Sequence, residues 1–319
     1  MKRLVLAIPA VAVVLAGCTP FHAGAAATVG GTRISTSQLR DIVDRGVAAV
    51  PNGQQIDRTA LERSTLGQLV QLRVLQALAE QLRVTVSAQD IDALITQAAQ
   101  QGGLAQLQQR AAAAGIAAND LRLYARTAAY QNKIASVLPL DQAALQGAYA
   151  ANQAKFAQVH VALILLDTVA KARQVDKLAL AKPASFAKLA RQFSSEASSK
   201  AKGGDLGFIN QGGSLPKAFT DAAFGGRDGS IVGPIDTGVG FAVIHVIKHR
   251  TVPLAQAEAT LRPSLVQAEF LRRYQAAEGH LRVDVNPRFG VWQASAASGL
   301  GAVGAGTGDL SIPVPSPGK

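Results

Sequence analysis

Ala201-Lys202-Gly203-Gly204-Asp205-Leu206-Gly207-Phe208 is the stretch on which the reading of this chain turns. Its three glycines permit tight backbone where a loop runs into a strand. Asp205, between them, is placed to accept hydrogen bonds from such a turn, a structural use before a catalytic one. Upstream lie Phe186-Ala187-Lys188-Leu189-Ala190 and then Phe193-Ser194. Downstream come Ala222-Ala223-Phe224, Gly233-Pro234, and a β-branched, apolar run from Phe241 to Ile247 that reads as a closing strand. Ala162-Leu163-Ile164-Leu165-Leu166 is an apolar run ahead of all of these.

Outward toward the N-terminus the pattern becomes helical. Residues 27–34 read as a short strand and turn, and Ser35 with Gln38 three positions on marks a helix start that carries Leu39, Ile42 and Val43 on one face. Pro51-Asn52-Gly53 ends it. Residues 58–83 place Leu61, Leu69, Leu72, Leu75, Leu78 and Leu82 mostly at three- and four-residue steps, the signature of a long amphipathic helix. Ser87 with Asp90 opens another helix bearing Ile91, Leu94 and Ile95, interrupted at Gly102-Gly103. Asn119 is placed to cap a further helix, with Leu121, Tyr124, Ala128, Ile134 and Val137 inward, and Pro139 stops it. After the central region, residues 254–279 predict a helix with Pro263 inside it, and residues 281–285 alternate as a strand. Residues 294–319 hold Ala, Gly, Ser and Pro with almost no charge, and such a tail is expected to be disordered.

The first residues look like an address. Lys2 and Arg3 precede an apolar run from Leu4 to Leu15, too short to serve as a stable membrane span. Leu15-Ala16-Gly17-Cys18 follows and resembles the bacterial lipobox, which implies lipidation at Cys18, the only cysteine of the chain. With that thiol used, none is left for a disulfide, a metal or a redox role. The formal charge is +11; loss of Lys2 and Arg3 with the first 17 residues leaves 30 − 21 = +9. That charge suits an anionic membrane surface or acidic polypeptides. It is spread out, without a basic run interleaved with aromatics, so nucleic acid is not expected as a partner. No phosphate-binding Gly-Lys-Ser spacing and no Cys/His ligand cluster is present, so neither a cofactor nor a metal is expected.

The ordered set over residues 158–250 resembles the parvulin family of prolyl isomerases: Phe186 to Ala190, Phe193-Ser194, Lys202 to Phe208, Ala222-Ala223-Phe224, Gly233-Pro234 and the strand after Gly240. The N-terminal succession resembles the chaperone region of SurA and its relatives, carried by Val29-Gly30-Gly31 through Leu39 and Val84-Thr85-Val86-Ser87 through Ile91. Tyr149, Asn152 and Phe156 resemble the segment that precedes a parvulin domain. The resemblance implies an α+β protein, a mostly helical SurA-like chaperone domain built from N- and C-terminal segments with a parvulin-type domain of antiparallel sheet and helices inserted. The expected divisions are a lipoprotein signal at 1–17, a tether at 18–26, the chaperone region at 27–157, the parvulin domain at 158–250, a C-terminal helix and strand returning to the chaperone region at 251–293, and the tail at 294–319.

The resemblance also implies a site. The family's apolar proline pocket carries over to Leu206, Leu215 and Phe219, each of which would serve equally as core. Active parvulins place a histidine in the first strand and another in the closing strand; here Leu163 and Ala242 stand there. Glu196 takes the place of the usual Cys or Asp, and Thr237 is kept, so these two are the candidate catalytic residues. If Leu163 faces Ala242 across antiparallel strands, His160 faces His245 on the other side of the sheet. His22 falls in the tether, and His249 and His280 are expected in solvent. The loop Asp167-Thr168-Val169-Ala170 lacks a basic cluster, which argues against selection of phosphorylated targets.

The expected function is a lipid-anchored extracytoplasmic folding factor that binds unfolded or nascent exported polypeptides, with weak or absent isomerisation of X-Pro bonds. A fully active isomerase and a scaffold for one envelope partner are the alternatives.

Overall fold

The computed structural model describes residues 24–100, 102–211, 213–295 and 300–303. Cys18, the apolar run before it and His22 lie outside them, as does most of the C-terminal tail. The chain divides into two compact units, one drawn from the residues up to Leu138 and from Gln267 onward, the other from Pro139–Val266.

The first unit opens with a hairpin, β1 (Ala25–Val29) and β2 (Thr32–Ser35), whose turn is Gly30-Gly31. Ser35 then caps α1 (Thr36–Ala49) by accepting from the Gln38 amide at 3.1 Å. Asp57 does the same for α2 (Arg58–Gln81), taking the Thr59 and Ala60 amides. A reciprocal capping box of Ser87 and Asp90 starts α3 (Ala88–Ala99), and α4 (Gly103–Ala113) follows the Gly102 break. The start of α5 (Leu121–Val137) differs from the expectation. Asn119 sits inside a 3-10 turn and caps nothing, while Asp120 turns inward to a bidentate pair with Arg45 at 2.7 and 3.0 Å. Asp120 is buried, and the two-point guanidinium contact satisfies its charge better than free helix-end amides would. On α5, Val137 is exposed, and Ala125 and Ala129 face inward instead.

The second unit begins with α6 (Gln142–Ala151) and α7 (Gln153–Phe156). A four-stranded antiparallel sheet follows, in the order β4-β3-β6-β5. Its members are β3 (Ala157–Leu166), β4 (Asp205–Asn210), β5 (Ile231–Asp236) and β6 (Phe241–Thr251). Between β3 and β4 run α8 (Val169–Ala181), α9 (Phe186–Phe193) and α10 (Ala197–Lys200); α11 (Lys217–Gly225) lies between β4 and β5. Alternation along β3 sorts its side chains to two cores. Ala162, Ile164 and Leu166 pack with Ala172, Val175, Phe186 and Leu189 of α8 and α9. Val159, Val161 and Leu163 pack with Phe219 and Ala223 of α11.

The helix α12 (Leu254–His280) gives Ala257 and Leu261 to the second unit and Phe270, Tyr274 and Ala277 to the core of the first. After it, β7 (Val283–Val285) joins β1 on the edge away from β2, completing a sheet of order β2-β1-β7. The units therefore divide differently from the expected 157/158 and 250/251. Tyr149 stacks on Phe156, and its hydroxyl donates to the Val252 carbonyl at 2.7 Å. The segment from 139 to 157 and the start of α12 thus seal one apolar cluster, with Leu145, Ala257 and Leu261. The tail expectation also needs correction. Among its described residues, β9 (Ala302–Val303) pairs with β8 (Trp292–Gln293), and Leu300 packs on the first unit's core.

Candidate functional site

The motif glycines do what loop-to-strand chemistry requires. Gly204 has φ +84°, and a Cβ there would lie 2.4 Å from the Leu163 carbonyl. The Gly204 carbonyl in turn accepts from the Leu163 amide at 2.8 Å, which docks the motif on β3. Asp205 accepts from the Gly207 amide at 2.7 Å, as its place in the turn implied. Its Oδ1 also meets His160 Nε2 at 2.7 Å. Burial opposes ionisation of Asp205, but the Gly207 amide, His160 and Lys202 together hold its carboxyl below the usual range.

Leu206, Leu215 and Phe219 come together on one face of the sheet, with Leu163, Ala242, Ile209, Val232 and Ile235. Leu206 and Leu215 are half-buried and Phe219 is 1% exposed, so the first two offer surface while the third is the core beneath them. Leu163 and Ala242, at 6% and 0% exposure, point into the same cluster. They are not directly opposite. Leu163 faces Ile244 and Leu165 faces Ala242, a register two residues from the expected one. A bulge at His160/Val161 shifts the register again, so His160 faces Lys248 and His245 faces Ala162. The two histidines are therefore not a facing pair, although both lie on the side of the sheet opposite the apolar cluster. His245 stacks against Phe186 of α9, and burial, then the charge of His160, pulls its pKa down. His249 is partly exposed and engaged: Nδ1 bonds Asp228 Oδ1 at 2.6 Å, and the ring meets Phe224 edge-on.

The polar candidates are committed to their own turns. Glu196 is the N-cap of α10, its Oε1 accepting from the Ser198 amide at 2.9 Å and its Oε2 from the Ser199 amide at 2.7 Å and the Ser199 hydroxyl. These bonds, the Ser199 hydroxyl first, lower its pKa to about 2. Thr237 donates its hydroxyl to the Gly240 carbonyl at 2.8 Å and its amide to the same oxygen, which closes the β5–β6 turn. Neither group is left to move a proton at neutral pH. Two residues the sequence did not single out hold this end of the sheet. Ser194 Oγ accepts from the Leu165 and Glu196 amides, and Ser195 donates both amide and hydroxyl to the Leu165 carbonyl. No ordinary cap signal announced this use of Glu196, since Glu is not among the favoured N-cap residues. Among the described residues no group of three or more metal-ligating side chains gathers, and no helix is long and apolar enough to cross a membrane.

Residues 166–248 match the family model of the PPIC-type PPIASE domain, and residues 1–135 that of the SurA-like N-terminal domain. The chain is thus similar to SurA-like N-terminal domains over its first part and to PPIC-type domains over its middle part. It is 28% identical over 272 residues to the chaperone SurA of Sodalis glossinidius, covering 76% of this chain and 63% of that one. A parvulin-like PPIase of Rickettsia typhi is 33% identical over 122 residues, which are 37% of this chain and 43% of the relative. The chain thus matches less than half the length of the parvulin-like PPIases, and all of that match is partial. Among solved structures, one described as a pair of structurally related SurA-like chaperones of Campylobacter jejuni is 25% identical, covering 80% of this chain and 95% of that chain at a TM-score of 0.34. PrsA of Bacillus subtilis is 21% identical, covering 78% and 88% at a TM-score of 0.29.

Proposed function

We propose that this protein is a folding factor that binds unfolded exported polypeptides outside the cytoplasm, held to a membrane by a lipid on Cys18, and that its PPIC-type domain is a peptide-binding module with weak or absent isomerase activity. One observation carries the second part. Leu163 and Ala242, at the positions where active parvulins are expected to have histidines, are buried in an apolar cluster, while Glu196 and Thr237 are spent on local turns.

Rotation about an X-Pro bond must overcome the partial double-bond character of the amide, a barrier of about 20 kcal/mol. Two effects lower it: removal of water from the amide, and polar groups that strengthen their contact as the bond twists. Half-buried Leu206 and Leu215 supply an apolar seat for a proline ring and hence part of the first effect. No side chain of the candidate set supplies the second. The SurA-like helical region adds another place to hold extended chain, and two weak sites on one molecule reinforce each other through effective concentration.

The test is an isomerisation assay on unphosphorylated X-Pro peptides with residues 24–319, alongside suppression of aggregation of an unfolded protein. Phe219→Ala is a poor probe, because emptying a fully buried phenylalanine site costs about 3–5 kcal/mol and tests folding. Leu215→Ala is the better one. The expected result is a rate close to the uncatalysed one, with aggregation suppression intact and weakened in Leu215→Ala. A clear rate that Leu215→Ala abolishes would make the protein an isomerase that dispenses with the histidines. Lipidation is read separately, by the mass of the mature N-terminus in wild-type and Cys18→Ser cells.

A further inference from the structure

The residues at the far end of the first unit do something the family patterns do not describe. Leu300 packs on the unit's core, and Ala302–Val303 adds a strand to Trp292–Gln293, with Val303 opposite Trp292. Between them the Gly301 carbonyl accepts from Gln71 Nε2 of α2 at 2.8 Å. Gly301 fits by having no side chain. A Cβ there would lie 2.3 Å from the Trp292 ring, 2.5 Å from Glu278 Oε1 and 2.9 Å from the Gln293 carbonyl. The seat itself is rigidly built: Glu278, buried within α12, accepts from Trp292 Nε1 at 2.9 Å and from the Ser295 amide and hydroxyl.

These features read as a slot for a strand. It offers a strand edge for main-chain pairing, an amide donor for one carbonyl, an apolar seat before it, and a floor that admits only glycine at one position. Recognition of extended chain by main-chain pairing with side-chain pockets for register is how strand-addition sites work. The present occupant makes a ladder of two residue pairs, a short hold for a strand. The same Trp292, Glu278 and Ser295 border a cavity of 440 Å³ together with Gln275, Leu281 and Val283, so the seat itself has open volume on another side.

We propose that the slot between Gln71 and Trp292 is a binding site for an extended polypeptide segment of the form apolar-Gly-small, and that Leu300–Val303 is its resident, exchangeable occupant. The site deepens the folding-factor reading by naming a place and a sequence preference for bound chain.

Trp292 is the only tryptophan of the chain, so its fluorescence reports on the slot directly. Residues 24–319 carrying Gly301→Val are titrated with a peptide of the sequence of residues 298–305 and with the same peptide bearing Val for Gly301. The expected result is red-shifted Trp292 emission in the variant, restored in a saturable way by the glycine peptide and not by the valine peptide. The unsubstituted chain should bind the glycine peptide at least tenfold more weakly, because its own segment competes. If Gly301→Val does not fold, Leu300→Ser weakens docking without a clash and should give the same ordering. Equal response to both peptides, or none in either variant, would overturn the proposal and make Leu300–Val303 a fixed part of the fold. Aggregation suppression by these same proteins is measured in parallel: its persistence with no peptide binding leaves the folding-factor reading standing and removes the slot alone.

Discussion

Two carboxylates in the PPIC-type unit show opposite uses of one functional group. Glu196 is held down to about 2, by the Ser199 hydroxyl above all. A carboxyl lowered in the fold adds stability above its ordinary value of 4.5 and loses it as the pH falls through about 2. Glu196→Ala is therefore expected to cost about 1 kcal/mol at pH 7, a typical cap contribution, with the gap to wild type narrowing between pH 4.5 and 2 in thermal melts. Asp176 is the reverse case. It occupies the buried stripe Ala172, Val175, Asp176, Ala179 of α8, its Oδ1 has no partner among the described residues, and burial raises its pKa. A raised carboxyl favours the fold at low pH and opposes it as the pH rises through the elevated value. Asp176→Asn should raise the melting temperature at pH 7, and the advantage should vanish below the ordinary value of 3.8. The sequence reading placed no helix at 169–181, and the cost of its one buried charge was hidden in any case, because a sequence does not say whether a partner reaches it.

At the scale of the element, the pairing of β3 with β6 decides what the site can become. Strand identity was readable from the runs at 162–166 and 241–247, and so was the face on which His160 and His245 lie, since side chains alternate strictly along a strand. The register was not. Alternation fixes a face but leaves slips of two residues open, and the bulge at His160/Val161 adds a further shift that no side-chain pattern announces. The apolar cluster of Leu206, Leu215 and Phe219 was legible because its members fall at fixed points of one motif; the consumption of Glu196 and Thr237 by their own turns was not, because both bonds depend on backbone direction. Register yields a prediction. Leu163 and Ala242 are diagonal neighbours on the buried face, so Leu163→His with Ala242→His puts two imidazoles into packed apolar volume. Thermal denaturation should show a loss of about 2 kcal/mol or more for the double variant, from overpacking and unpaired polar atoms. Retention of full stability would mean that this face opens to solvent.

Over the whole molecule, the two units differ in how they are assembled from the chain. The second unit takes its three apolar clusters from one continuous stretch, Pro139–Val266. The first needs both ends: Leu66, Val70, Val74 and Leu75 of α2 share a core with Phe270, Tyr274, Ala277 and Phe289, and β1 is flanked by β2 and β7. Residues 139–266 produced alone should therefore melt in a single cooperative transition by circular dichroism. Residues 24–138 alone should lack a defined melt, and adding 267–319 in trans should restore one. A cooperative melt for 24–138 by itself would show that the C-terminal contributions are dispensable. The helical pattern of the first unit was evident from leucine spacing, whereas its docked strand at 302–303 was hidden in a Gly- and Ala-rich run. The contacts of Gly301, a residue with no side chain to advertise them, explain why.

The pairing of Val29 with Val283 also sets a timetable. A chain that emerges N-terminus first exposes one edge of β1 early, yet the strand that covers it is made about 250 residues later. In the interval the second unit has everything it needs to fold, while the leucine face of α2 waits without Phe270 and Tyr274. Until then the apolar face of the nascent first unit lacks its partners, and joining β1 to β7 carries the entropic cost of closing a long loop. On the proposed folding-factor reading the protein passes through the very condition it would recognise in other chains, and its maturation depends on the delivery of residues 267–289.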